Sequence, residues 1–113
     1  MAVRELQWTK QAESQLVSLL DFYDQRNGSS TYSEKILARI YKLLGFAQNN
    51  PYYGQSLPQV ENMNARFVVV EKIQVNFAVD DNAVRVFALF DARRDPEITE
   101  KILLSANTTK PVA

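Results

Sequence analysis

The sequence predicts a small α+β domain in which an antiparallel helical hairpin covers one face of a small antiparallel sheet. Three observations predict it. Apolar residues recur every three to four positions in two consecutive segments, and the period then switches to the alternation of strands after a turn-rich stretch, NPYYGQSLPQVENMN. The link between the two helical segments, residues 27–30, is also too short for anything but a hairpin. Two amphipathic helices need a sheet to cover, and the resulting order is β-α-α-β-β-β.

Each element has its own signal. Glu5 to Trp8 reads as an opening strand. Thr9 follows as a helix N-cap, ahead of Ala12, Leu16, Leu19, Leu20 and Tyr23 at helical spacing, and Asn27-Gly28 ends that helix. Thr31 and Glu34 have the T-x-x-E spacing in which each side chain satisfies the other's free backbone amide. The second helix continues through Ile36, Ile40, Leu43, Leu44 and Ala47 and stops at Asn49-Asn50-Pro51. Arg66 to Val70, Ile73 to Val79 and Val84 to Phe90 read as a three-stranded meander with turns at Glu71-Lys72 and Asp81-Asn82. The alternation in the middle strand sets Ile73, Val75, Phe77 and Val79 against Gln74, Asn76 and Ala78, which leaves the second sheet face free for function. A short helix from about Glu97 to Ser105 follows Pro96, and the tail NTTKPVA is expected to fray.

Composition narrows the chemistry. A chain of 113 residues makes one domain, 1–113, able to bury roughly two thirds of its unfolded surface without a metal or disulfide. It has no cysteine and no histidine, so disulfides, Cys/His zinc sites and imidazole or thiolate catalysis are excluded. No apolar run exceeds the five residues Val86 to Phe90 and the N-terminus lacks an apolar signal core, so a cytoplasmic protein with no membrane association is expected. Thirteen basic residues balance thirteen acidic ones, which argues against gripping nucleic acid by its backbone. The charge is uneven all the same. Between Thr31 and Gln48, Lys35, Arg39 and Lys42 stand against Glu34 alone. That stripe on one helix face is read as solvated.

The last strand raises the functional question. In FALFDARRDPEI an apolar strand runs into Asp91, Arg93, Arg94 and Asp95 before Pro96. If the extended conformation persists, the two arginines point to opposite faces. One would bind Asp91 or Asp95 and the other would lie on the exposed side beside Arg66. The competing reading is a local salt-bridge cluster that closes the sheet.

The element order, with LQWT opening the first strand, NNPYYG after the hairpin, ARFVVV on a strand and FALFDARRDPE at the end, resembles the RelE/ParE superfamily of toxins from type II toxin–antitoxin (plasmid stabilization) systems. The likeness spans about residues 4 to 98. It implies a growth-inhibiting toxin neutralised by a cognate antitoxin, with no cofactor and no metal. Some members are ribosome-dependent, metal-independent mRNA endoribonucleases, and others inhibit DNA gyrase without cutting RNA. If this chain is a ribonuclease, the resemblance makes Arg66, Lys72, Arg93 and Arg94 its catalytic candidates. The C-terminal Tyr or His of several ribonuclease members has no counterpart after Arg94. From Arg66 to Asp95 five basic residues meet five acidic ones, an ill-suited face for entering ribosomal RNA. The expectation is therefore a ParE-like toxin that binds gyrase, with the ribonuclease as the alternative and a non-toxic, antitoxin-binding descendant as the third reading. Bland roles compete for each residue: Arg66 as a solvated edge charge, Lys72 as a turn residue, and Tyr52 and Tyr53 as loop cover for the core rather than base-stacking groups.

Overall fold

The computed structural model describes residues 3–61 and 63–107. Strand β1 (Glu5–Trp8) leads into helices α1 (Lys10–Asn27) and α2 (Thr31–Asn49). Strands β2 (Gln55–Ser56), β3 (Asn64–Val70), β4 (Ile73–Val79) and β5 (Ala83–Asp91) follow, then helix α3 (Pro96–Leu104) and a 3₁₀ turn, Ser105–Asn107. The end of the tail, 108–113, lies outside the described residues.

Local chemistry explains most boundaries. Thr9 caps α1, its Oγ1 accepting from the Ala12 amide at 3.1 Å. Gly28 closes α1 in the left-handed region (φ 69°), donating to the Asp24 carbonyl at 2.8 Å. The capping box expected of Thr31 and Glu34 does not form, because Thr31 already lies inside α2 and Ser30 stands at the N-cap. Glu34 instead accepts from the Ser30 hydroxyl at 3.3 Å, one residue before the expected partner. Asn50 ends α2 with its amide bonded to the Phe46 carbonyl at 3.0 Å.

The sheet order is β1-β5-β4-β3-β2. The expected meander is present, but the sheet is mixed rather than antiparallel throughout. β1 pairs parallel with β5, from Glu5 opposite Ala83 to Trp8 opposite Val86. The short edge strand β2, inside the segment read as loop, pairs antiparallel with β3. Phe77 pairs with Val86 and Asn76 with Ala88, so Phe87 is an extra residue in β5. This bulge shifts the alternation by one: Val84 and Val86, then Leu89 and Asp91, face the helices.

The hairpin face carries the main core. Tyr23, Ile36, Ile40 and Leu44 pack with Val70, Ile73, Val75, Phe77, Val84, Val86 and Leu89, while Leu16, Leu19 and Leu43 border the cluster half-buried. The second face is not free as expected. Leu103 and Ala106 after β5, with Leu57 and Val60 from the β2 region, bury Ala65 and Phe90 in a smaller cluster. Asn76, read as solvent-facing, is fully buried there, its amide donating to the Ala88 carbonyl at 3.0 Å and its Oδ1 accepting from Gln74 at 2.8 Å. Both polar ends of the side chain are satisfied, which makes its burial tolerable. No helix among the described residues is long and apolar enough to cross a membrane.

Candidate functional site

The C-terminal end of β5 is built by a tight turn. The strand stops at Asp91, the Arg94 amide donates back to the Asp91 carbonyl at 3.0 Å, and the Ala92 amide donates to the Lys72 carbonyl at 2.7 Å. Arg93 and Arg94 therefore sit in a turn, and strand alternation does not place them. Asp91 Oδ1 accepts from the Arg93 amide at 2.9 Å and from its Nε at 3.2 Å. Oδ2 forms an ion pair with Arg93 Nη2 at 3.0 Å. One carboxylate thus fixes both the backbone and the side chain of Arg93.

This arrangement tunes the ionisable groups. The hydrogen bonds from Arg93, helped by the nearby charges of Arg93 and Lys72, hold the Asp91 carboxyl below its usual range against the opposing effect of burial. Tyr23, packed edge-on against Tyr32 with ring centroids 5.4 Å apart, has its phenol pushed up by burial first and by the Asp91 charge second. It is held in the neutral, proton-bearing form.

Asp95, the other acid considered for an arginine, has a different task. It caps α3, accepting from the Glu97 amide at 2.9 Å, and Pro96 takes the first helical position, where no amide donor is needed. The Arg94 guanidinium makes no hydrogen bond or ion pair with any described residue. It borders a groove of about 430 Å³ between α1 and the end of β5, beside Ser14, Ser18 and Phe22. Phe22 is 55 % exposed. A strand edge runs along the same groove, where the Leu89 amide donates to the Gln15 side chain at 2.8 Å instead of to a neighbouring strand.

Arg66 lies elsewhere. It pairs with Phe77 on the hairpin face of the sheet, whereas Asp91 pairs with Ile73. The four-residue offset along β4 corresponds to about 13 Å at roughly 3.3 Å per residue. Its guanidinium closes the loop before β2, donating from Nε to the Tyr53 carbonyl at 2.9 Å and from Nη2 to the Gly54 carbonyl at 2.8 Å. Nη1 reaches Asn64 Oδ1 at 3.3 Å. Gly54 has φ 88°, and a Cβ there would meet the Phe67 carbonyl oxygen at 2.8 Å, so the loop requires glycine at this position. The expected juxtaposition of Arg66 with a free arginine is therefore absent. Lys72 and Arg93 share the neighbourhood of Asp91, Arg94 opens toward α1, and Arg66 is bound to a loop.

The tyrosine pair divides. Tyr53 packs against the main core and lies 5.5 Å from Phe46 ring to ring, whereas Tyr52 is 76 % exposed. Sequence reasoning missed Tyr23 as a neighbour of the arginine turn. Its helical spacing marked it for the core, and only the shift at Phe87 brings Asp91 to the same side.

A mixed sheet with a two-helix cover and a basic turn at the end of its last long strand defines a small α+β protein. Residues 6–96 match the family profile described as the ParE toxin of the type II toxin–antitoxin system parDE, and the chain belongs to that family. A solved structure titled "Chromosomal ParDE TA system from P. aeruginosa" contains a similar chain. It is 19 % identical, with a TM-score of 0.63 over 80 % of this chain and 98 % of that one. At that identity the likeness concerns the fold. A search of curated proteins returned no match.

Proposed function

We propose that this toxin arrests growth by binding DNA gyrase and is neutralised by a cognate antitoxin made from a neighbouring gene. The observation that carries this reading is the engagement of Arg66 and Arg93 in internal bonds to Tyr53, Gly54 and Asp91. RNA cleavage without a metal needs several cations converging on one phosphate and groups that move protons at both ends of the scissile bond. Here two of the four candidate cations hold the fold, and a carboxylate stands among the others. Arg94 is then the group available for a target, on a turn fixed by Asp91 and by the cap of α3.

The ribonuclease reading has one observation in its favour, the gathering of Lys72 and Arg93 with the neutral Tyr23 phenol around Asp91. Inducing the protein alone in a bacterium separates the readings. Arrest with DNA damage and loss of supercoiling by purified gyrase is the expected result. Arrest with mRNA cut at the ribosome would assign Arg66, Lys72, Arg93 and Arg94 to catalysis, and normal growth would identify a degenerate, antitoxin-binding protein. Arg94→Ala is expected to weaken gyrase binding while leaving the melting temperature unchanged, whereas Arg93→Ala should loosen the turn as well.

A further inference from the structure

The longest stretch of the chain without a charged residue runs from Leu43 to Val60, between Lys42 and Glu61, although 23 % of all residues are charged. Its helical part enters the core through Leu44 and Ala47. The loop and edge strand that follow carry Tyr52, Gln55, Ser56 and Pro58 on the surface, beside exposed Phe46 on α2 and exposed Met63 before β3. This surface is held in place before any partner arrives. The Tyr52 amide donates to Asn50 Oδ1 at 3.0 Å, the Tyr53 amide to the Asn50 carbonyl at 3.1 Å, and Asn64 Nδ2 to the Pro51 carbonyl at 2.6 Å. A loop ordered in advance loses little entropy on binding.

β2 has a strand neighbour on one side only. It ends the sheet order and pairs with β3 through Gln55 and Ser56. The Leu57 amide donates inward to the Ala65 carbonyl at 2.9 Å, so Ser56, one residue earlier, turns its amide and carbonyl outward. Sheet edges are ordinarily guarded by lysine or another charge, and here the first guard is Pro58.

Charge selects the occupant. A different protein can be matched by opposite charge, and this surface offers none. A two-fold axis sets residues against their own copies, so any charge near it meets a like charge, and a charge-free surface suits such an interface. Tyr52, 76 % exposed, and Phe46, 46 % exposed, offer roughly 200–300 Å² per copy, at about 150–250 Å² for a covered aromatic side chain. An interface of about 1,000 Å² in total needs roughly 500 Å² from each copy, which leaves the remainder to Gln55, Ser56, Pro58 and Met63. We infer that β2 and the Tyr52 loop form a two-fold interface with a second copy of this chain, the two β2 strands pairing antiparallel about Ser56. The loop is tied to Asn64, which pairs with Val79 at one end of β4, whereas Asp91 pairs with Ile73 at the other. The dimer therefore leaves both arginine turns uncovered, and it does not depend on which target they meet.

Sedimentation velocity of the purified full chain tests this. From about 1 to 300 µM protein the species should pass from monomer to dimer, with a dissociation constant of roughly 10–100 µM, as the small area implies. Added salt should not weaken the association, since no charge takes part. Tyr52→Ala should weaken it about tenfold or more with an unchanged melting temperature. Gln55→Lys and Gln55→Glu form a sharper pair, because the two residues at this position lie diagonally across the axis, within reach of long side chains. Each alone should dimerise about tenfold more weakly, and an equimolar mixture of the two should recover wild-type strength or better. The inference is overturned if the wild-type chain stays monomeric throughout, if either charged variant dimerises as the wild type does, or if the mixture behaves as the average of its parts. It is overturned equally if Tyr52→Ala leaves the dimer intact but abolishes capture of gyrase or of the neighbouring gene's product, since the loop would then belong to that partner.

Discussion

The two faces of the sheet are finished differently. Fourteen buried residues make up the hairpin-side cluster and six the cluster under α3, and the only two buried polar residues among those described are Ser33, within the hairpin, and Asn76, on the α3 side. The hairpin face is sealed by aliphatic and aromatic side chains contributed by every long element. The other face is closed by a single short helix and a loop, and it leaves Val69 46 % exposed. The difference separates the part of the molecule that holds it folded from the part that can change with little loss.

Four substitutions test that division, beginning with the largest expected effect. Ile40→Ala removes a fully buried side chain from the centre of the hairpin cluster and should cost about 2–5 kcal/mol in urea unfolding. Leu103→Ala, on the thin side, should fall at the low end, about 2 kcal/mol, because the short helix can settle into the space. An equal or larger loss there would show that α3 belongs to the essential core. Arg66→Ala frees the Tyr53 and Gly54 carbonyls at the margin of the hairpin face and should cost about 1–2 kcal/mol. Toxicity should survive this change wherever the protein remains folded. A selective loss of toxicity at full stability would instead give Arg66 a direct role.

The smallest effect depends on pH. The Asp91 carboxyl is depressed in the folded state, so its contribution is complete above the ordinary carboxylate pKa and fades as pH falls through the lower folded value. Asp91→Asn should be less stable than wild type at neutral pH, and the gap should close in acid below about pH 4. Unfolding curves across that range would reveal the convergence. A gap that stays constant with pH would mean that the Arg93 contact depends on shape and not on charge.

Much of the architecture was legible because the controlling signals are local. Thr9, Gly28 and Asn50 end helices through their own side chains or backbone, and those boundaries agree with the residue patterns. The extra residue at Phe87 left no mark, since the strand is apolar on both faces and alternation carries no information there. Counting by twos from Val84 therefore misplaces Leu89 and Asp91. The order Asp95-Pro96-Glu97 did hold a readable signal, a cap followed by proline at the first helical position, but the charges drew attention to ion pairs. For the arginines, the sequence supplied the residue types and not the turn. The Arg94 amide folding back on the Asp91 carbonyl decides which guanidinium is bound and which is free.

The parallel pairing of β1 with β5 also sets a timetable. Gln7 and Arg85, joined side chain to side chain at 3.1 Å, are 78 residues apart in the chain. At a synthesis rate of about 5–20 residues per second, roughly 4–16 s pass between their appearances on the ribosome. Over the last part of that interval, from Asn49 to Arg85, the helical hairpin has been made but its principal strand does not yet exist. The last long strand to be made is the central support of the molecule, and the arginine turn that follows it is made later still. A newly synthesised chain therefore passes through an interval with an uncovered apolar hairpin and no arginine turn, in which a partner already present can meet it first.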